Sequence, residues 1–242
     1  MLNAFRRSCV QDVLPALSLP AFLLLGILGL ATVSTAHAQA TSSGPTTPLG
    51  RQLSRMDLGI SGADLITKGV SGPNYVGDPV TLNTSSTLGA LVQVRYVRSP
   101  LVGFEFNYGY ARLTENFNFA TANTFGPPAG PFPVQTQMNE YTFGYIAHLR
   151  RYSYHGIQPF AGAGLGTTAF KPTTGGGEGL PEKARMTYYY TVGAEDMVSQ
   201  HFGVRLQFRQ LFYKAPDFGQ NYLTIQQQTI TSEPTFGFFL KY

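Results

Sequence analysis

The sequence predicts an all-β chain: eight antiparallel strands closed as an up-and-down transmembrane β-barrel. Three observations point there. Charged residues are 12% of the 242 residues, about half the share of an ordinary soluble domain. Gly (27), Tyr (14) and Phe (18) are abundant, which suits strands and turns and argues against a helix bundle. Segments with period-2 alternation recur along the chain, of a length that lets a tilted strand cross the hydrocarbon of a bilayer.

The elements follow in order. Arg6 and Arg7 precede an apolar run from Ala21 to Val33, and Ala36-His37-Ala38 supplies the small residues that a signal peptidase reads. The run is shorter than the roughly 20 residues of a spanning helix. Residues 1–38 are therefore expected to be a cleaved signal peptide, with a retained anchor helix as the competing reading. Residues 39–52 are expected to be a flexible Ser/Thr/Pro-rich linker and residues 53–242 the barrel. Cleavage would remove Arg6, Arg7 and Asp12 and take the formal charge from +4 to +3. It would also remove Cys9, the single cysteine, so no disulfide framework or cysteine-based metal site is expected. The remaining positive charge is scattered, which gives nucleic-acid binding no support.

Strand one is expected over Ser54–Ser61, with Met56, Leu58 and Ile60 on one face. The second covers Thr84–Tyr96 and the third Leu101–Leu113, where Val102, Phe104, Phe106, Tyr108 and Tyr110 alternate with Gly103, Glu105, Asn107 and Gly109. The fourth ends on Tyr141, Phe143, Tyr145, Ala147 and Leu149. The fifth is the Gly/Ala-rich Gln158–Thr168, and the sixth runs from Arg185 to Met197. The seventh covers Phe202–Tyr213, and the eighth closes the chain with Phe236, Phe238, Leu240 and Tyr242. Connections alternate between long and short. That rhythm is produced by a barrel with short turns in the periplasm and long loops outside. A soluble lipocalin-like barrel would share the alternation. The signal segment, low charge and aromatic strand ends favour lipid, and so a location in the cell outer membrane.

The stretch Gln158-Pro159-Phe160-Ala161-Gly162-Ala163-Gly164-Leu165-Gly166, the strand Tyr190-Thr191-Val192-Gly193-Ala194, and the alternating C-terminal Phe236, Phe238, Leu240 and Tyr242 together resemble the small outer-membrane barrels of the OmpA/OmpX/OmpW type. The likeness covers roughly Gln52 to Tyr242. It implies an outer-membrane barrel domain, with the last strand as the signal presented to barrel-assembly machinery. Unlike OmpA, the chain is expected to carry no periplasmic peptidoglycan-binding domain after the barrel, which argues against a cell-wall anchor role.

Inward parity collects Arg55, Asp57, Arg95, Glu105, Glu140, Glu195, Arg205 and Arg209, four cations and four anions in a lumen only wide enough for its own side chains. Charges confined there need partners. Arg95, Arg205 and Arg55 are expected to pair with Glu105, Glu195 and Asp57 in the periplasmic half, with Glu140 and Arg209 nearer mid-barrel. A structural ion-pair plug is the plain reading and a gated narrow pore for small solutes the sharper one.

The run Gly162, Gly164, Gly166 is expected to make room for lumen side chains rather than to cradle phosphate. Gly175-Gly176-Gly177 is expected to be a flexible loop tip. His148, His155 and His201 lack metal-ligand spacing, no cofactor is implied, and His148 is expected to point inward, away from lipid. Loops over 63–83, 114–134, 171–183 and 214–230 should lie outside. Their aromatics Tyr75, Phe117, Phe119, Phe125, Phe132 and Tyr222 are set either to contact host or surface ligands or to pack on the barrel rim. Arg112 and Lys171 are expected near the outer rim as partners for lipopolysaccharide phosphate. The function expected is a structural outer-membrane protein. A surface adhesin-like protein is the alternative, and a lipid-modifying enzyme stands further back.

Overall fold

The computed structural model describes residues 47–120, 126–149 and 154–241. The expected signal peptide and most of the expected linker therefore lie outside the described residues. The described chain begins with a short helix α1 (Pro48–Leu53), capped by the Thr47 hydroxyl, which accepts from Gly50 N at 3.1 Å. The end of the stretch expected to be a flexible linker is thus helical: Thr47 provides the N-cap and Pro48 a pre-set first position.

The strands are β1 (Met56–Thr67), β2 (Val70–Pro73), β3 (Pro79–Thr84), β4 (Thr87–Ser99), β5 (Val102–Phe119), β6 (Gly130–His148), β7 (Gln158–Pro172), β8 (Lys183–Met197), β9 (Phe202–Lys214) and β10 (Gln228–Lys241). All pairings are antiparallel. The ring β1–β4–β5–β6–β7–β8–β9–β10 closes where β10 pairs with β1. Eight strands thus form a closed barrel with no free edge around its wall, which is how β-structure satisfies its backbone in lipid. No helix among the described residues is long and apolar enough to cross a membrane.

The expected strands are present, and several are longer at the long-loop end. β5 and β6 pair from Gly103↔Ile146 to Phe119↔Gly130, well beyond the expected Leu113. That stretch, which holds Pro131 and Pro133, falls within the loop expected over 114–134. The two prolines lie above Thr136, where β6 pairs with the last residue of β7, so on that side a missing N–H breaks no ladder. The expected loop 63–83 also contains the hairpin β2–β3, whose second strand extends the sheet along upper β5 (Val80↔Phe119 to Thr84↔Glu115).

Parity sorts the faces. Phe104, Phe106, Tyr141, Phe143, Tyr145, Leu165, Tyr188, Val192, Leu206, Phe236, Phe238 and Leu240 all point outward and are exposed. They form an apolar, aromatic belt continuous around the wall. The other face is buried and splits into two layers. Towards the long loops lies an apolar core that includes Leu82, Leu113, Phe117, Val134, Met138, Phe170, Leu211, Phe218, Leu223 and Ile225. Towards the short turns the lumen is polar and charged.

Candidate functional site

Three arginines organise the polar layer. Arg95, near the end of β4, donates from Nε to Glu105 Oε2 at 2.8 Å, from Nη1 to Glu195 Oε2 at 3.3 Å and from Nη2 to Gln207 Oε1 at 3.0 Å. Arg205, near the start of β9, donates from Nη2 to Asp57 Oδ1 and to Glu195 Oε2, each at 2.9 Å. Arg209, four residues further along β9, donates from Nη1 to Glu233 Oε2 at 2.6 Å and from both Nη atoms to Glu140. Each guanidinium also lies over an aromatic ring: Arg95 over Phe160 at 4.3 Å, Arg205 over Phe239 at 4.5 Å and Arg209 over Tyr189 at 5.0 Å. Carboxylates bind the edge of the charge and a ring faces its plane. His148 points inward and its Nε2 lies 2.9 Å from Glu195 Oε1.

The lumen pairs Arg95–Glu105 and Arg205–Glu195 stand as expected. The Arg55–Asp57 pair does not form. Arg55 is exposed at the mouth, and Asp57 is taken by Arg205. Arg55 precedes β1, so strand parity does not govern where it points. The balanced lumen is corrected as well. Among the described residues the polar layer holds Arg95, Arg205 and Arg209 against Asp57, Glu105, Glu140, Glu195 and Glu233. Glu233 carries no alternation signal. It lies in Thr231-Ser232-Glu233-Pro234-Thr235, a stretch that resembles a polar loop, and the β1–β10 ladder is interrupted beside it between Ala63↔Thr235 and Ile66↔Ser232. Phe160 and Phe239 also face inward unforeseen. Their signal was present, since Phe239 has the opposite parity to Phe238 and Leu240.

Glycines cut the notches that these rings need. A Cβ at Gly164 would meet Phe143 O at 2.3 Å and Tyr189 Cε1 at 2.6 Å, and one at Gly193 would meet Phe160 Cζ at 2.7 Å. The Gly162-Gly164-Gly166 strand therefore makes lumen space, as expected. Tyr189 crosses that space to donate to Glu105 Oε1 at 2.9 Å, and it accepts from Asn107 Nδ2 at 3.1 Å.

Above the charges, the last long connection folds into the barrel. Asp217 and Gln220 close a turn (Gln220 N to Asp217 O, 2.9 Å) with positive φ at both Phe218 (47°) and Gly219 (70°). This left-handed pair aims the Phe218 ring down, where it meets Phe117 edge-on at 6.3 Å. Such a φ is costly for a non-glycine residue and is held by complete burial of the ring. Asp217 is clamped by Arg185 at 2.8 Å and Lys183 at 3.5 Å. Burial works to raise its pKa, but the Gly219 N–H, Arg185 and Lys183 outweigh it and hold the carboxyl below its ordinary value. The β2–β3 hairpin braces the same connection: Asn74 Nδ2 donates to Tyr222 O at 3.2 Å, and Tyr75 N donates to Asn221 O at 3.3 Å.

Of the loop aromatics, Phe117 and Phe119 are buried, while Phe132 and Tyr222 pack partly against the core. Tyr75 is exposed, and Phe125 lies outside the described residues. Gly175-Gly176-Gly177 is tied to β6 through Gln135 N to Gly176 O at 2.7 Å, so it is a fastened turn and not a free tip. Phe236, Phe238 and Leu240 lie on the lipid-facing side of β10, and Tyr242 lies outside the described residues. No metal-binding cluster of His, Cys, Asp or Glu occurs among the described residues.

No protein-family model matches the chain, and no curated protein matches it. Among solved structures, the outer membrane protein OprG from Pseudomonas aeruginosa is similar with a TM-score of 0.53 at 13% identity, over 77% of this chain and 95% of that one. The fold is that of a small outer-membrane β-barrel. Neisserial surface protein A gives a TM-score of 0.49 at 11% identity, covering 77% of this chain and 97% of that one. Ail, the attachment invasion locus protein of Yersinia pestis, gives 0.45 at 10% identity with the same coverage.

Proposed function

We propose that this chain is a closed outer-membrane barrel, a membrane-embedded scaffold that carries a folded β-rich head outside the cell and does not conduct solutes. The observation that carries this reading is the double filling of the lumen. Arg95, Arg205 and Arg209, each fully buried, lock the periplasmic half, and the Phe117–Phe218 layer fills the outer half. The belt of exposed aromatics supports lipid as the surrounding medium, and the alternation of short turns and long loops supports the orientation. A gated pore would have to displace both layers.

The surface-ligand reading is confined by the same packing, because most of the loop aromatics are spent inward. Tyr75, 64% exposed beside Val76 at the β2–β3 tip, is the residue through which a head of this kind would make contact. Proteoliposome swelling tests the main reading: refolded barrel should admit small neutral sugars no faster than protein-free vesicles. Swelling that scales with the amount of inserted protein would overturn it.

A further inference from the structure

The outward face changes character abruptly at the long-loop end of the belt. Across β5, β6 and β7 the register places Tyr108 beside Tyr141, then Tyr110 beside Asn139, and then Arg112 beside Gln137 beside Lys171. Arg112 and Lys171 are both exposed and flank one intervening strand, so their Cα positions lie about 10 Å apart. Arg112 Nε donates to the Tyr110 hydroxyl at 2.9 Å, which fixes the guanidinium at the edge of the aromatic row and leaves its Nη groups directed elsewhere. Among the described residues, neither cation forms a salt bridge. A concavity of about 500 Å³ opens beside Arg112, lined by residues that include Ser85, Thr114, Gln135, Gln137 and Thr173. Two acidic residues border this level: Asp64, on β1 and beyond the Leu88 of β4 to which it pairs, and the exposed Glu182, which precedes the Lys183 that pairs with Phe170 and so comes next in the register to Lys171.

We propose that Arg112 and Lys171, with the hydroxyls and amides above them, form a docking surface for the phosphate groups of an anionic lipid in the outer leaflet. Two features fix the occupant. Two cations at this spacing, with neutral hydroxyl and amide groups beside Arg112, complement phosphate oxygens. The patch is also continuous with the apolar belt below, so a molecule seated here would have its acyl chains along Tyr108, Tyr110 and Tyr141. A free anion would gain nothing from that wall. The assignment rests on the belt facing lipid and not on the closure of the lumen, so it and the swelling assay fail independently.

The test uses the refolded full barrel in detergent micelles and native mass spectrometry, with diphosphoryl lipid A as the probe. Each cation near an anionic lipid surface is worth roughly fivefold in binding. The double variant Arg112→Gln/Lys171→Gln should therefore bind about thirtyfold more weakly. Removing both phosphates from the probe should reduce binding to wild type comparably. Lys241→Gln, at the short-turn end, should bind as wild type does, and all variants should keep the heat-dependent gel mobility of a folded barrel. Equal binding by the double variant, or equal binding of the dephosphorylated probe, would overturn the proposal. Displacement of the lipid by millimolar inorganic phosphate would overturn the choice of lipid as occupant.

Discussion

Replacing Arg209 by methionine leaves Glu140 and Glu233 facing one another in the middle of the barrel, both almost completely buried. Breaking a buried pair from one side typically costs about 3–5 kcal/mol. The alternative is to carry carboxyls neutral. At about pH 7, each proton taken up by a carboxylic acid of ordinary acidity costs roughly 3.7 kcal/mol. The variant should therefore lose about 4 kcal/mol if one carboxyl is neutralised and about 7 kcal/mol if both are. Its folded state then holds more protons than its unfolded state, so the loss must shrink on acidification, by about 1.4 kcal/mol per pH unit for each proton held. Urea unfolding of vesicle-embedded protein, followed by far-UV circular dichroism at two pH values, measures both quantities. The triple variant Arg209→Met/Glu140→Gln/Glu233→Gln should return to within about 2 kcal/mol of wild type, since a neutral filling replaces the whole cluster. A pH-independent loss below about 1 kcal/mol in the single variant would refute the claim that this charge is held away from water.

Gly164→Ala should cost about 1–3 kcal/mol by overpacking against Tyr189 and the Phe143 carbonyl, and the same urea titration reports it; an unchanged midpoint would deny the notch. Phe143→Arg, on the outward face of β6 between the exposed Tyr141 and Tyr145, should cost about 2–4 kcal/mol in vesicles, and a neutral result would argue against a lipid-facing belt. The Asp217 carboxyl is held below its ordinary value, so its contribution is full above about pH 4 and is lost as the pH falls further. The protection factors for amide exchange in residues 215–225, referred to the intrinsic rate at each pH, should fall below that pH in wild type. In Asp217→Asn they should already be low at neutral pH, with a flatter pH dependence, whereas identical profiles would free the clamp of any role.

What the sequence made legible followed from strict alternation. Parity alone placed Arg95, Glu105, Glu140, Glu195, Arg205 and Arg209 inside and Phe104, Phe143 and Phe238 outside, because in a closed barrel each strand shows one face to lipid and one to the lumen. The rule fails where the chain is not yet a strand, as at Arg55, and where polar and proline residues disguise one, as at Glu233 and Pro131. The apolar outer layer was illegible for a different reason. Phe218, Leu223 and Ile225 are brought in by a left-handed turn and by the Asp217–Arg185 clamp, contacts between segments that no local pattern records.

The central claim is that the lumen is closed, and single-channel recording of the refolded protein in a planar bilayer tests it most directly. Insertion should be verified by protease protection of the same preparation. The account predicts a folded, inserted barrel with no discrete current steps, in wild type and in Phe218→Ala, whose remaining Arg95–Arg205–Arg209 layer still seals it. Reproducible unitary steps in the wild-type protein, abolished or resized by Arg205→Ala, would contradict closure and show that these pairs part to form a pore.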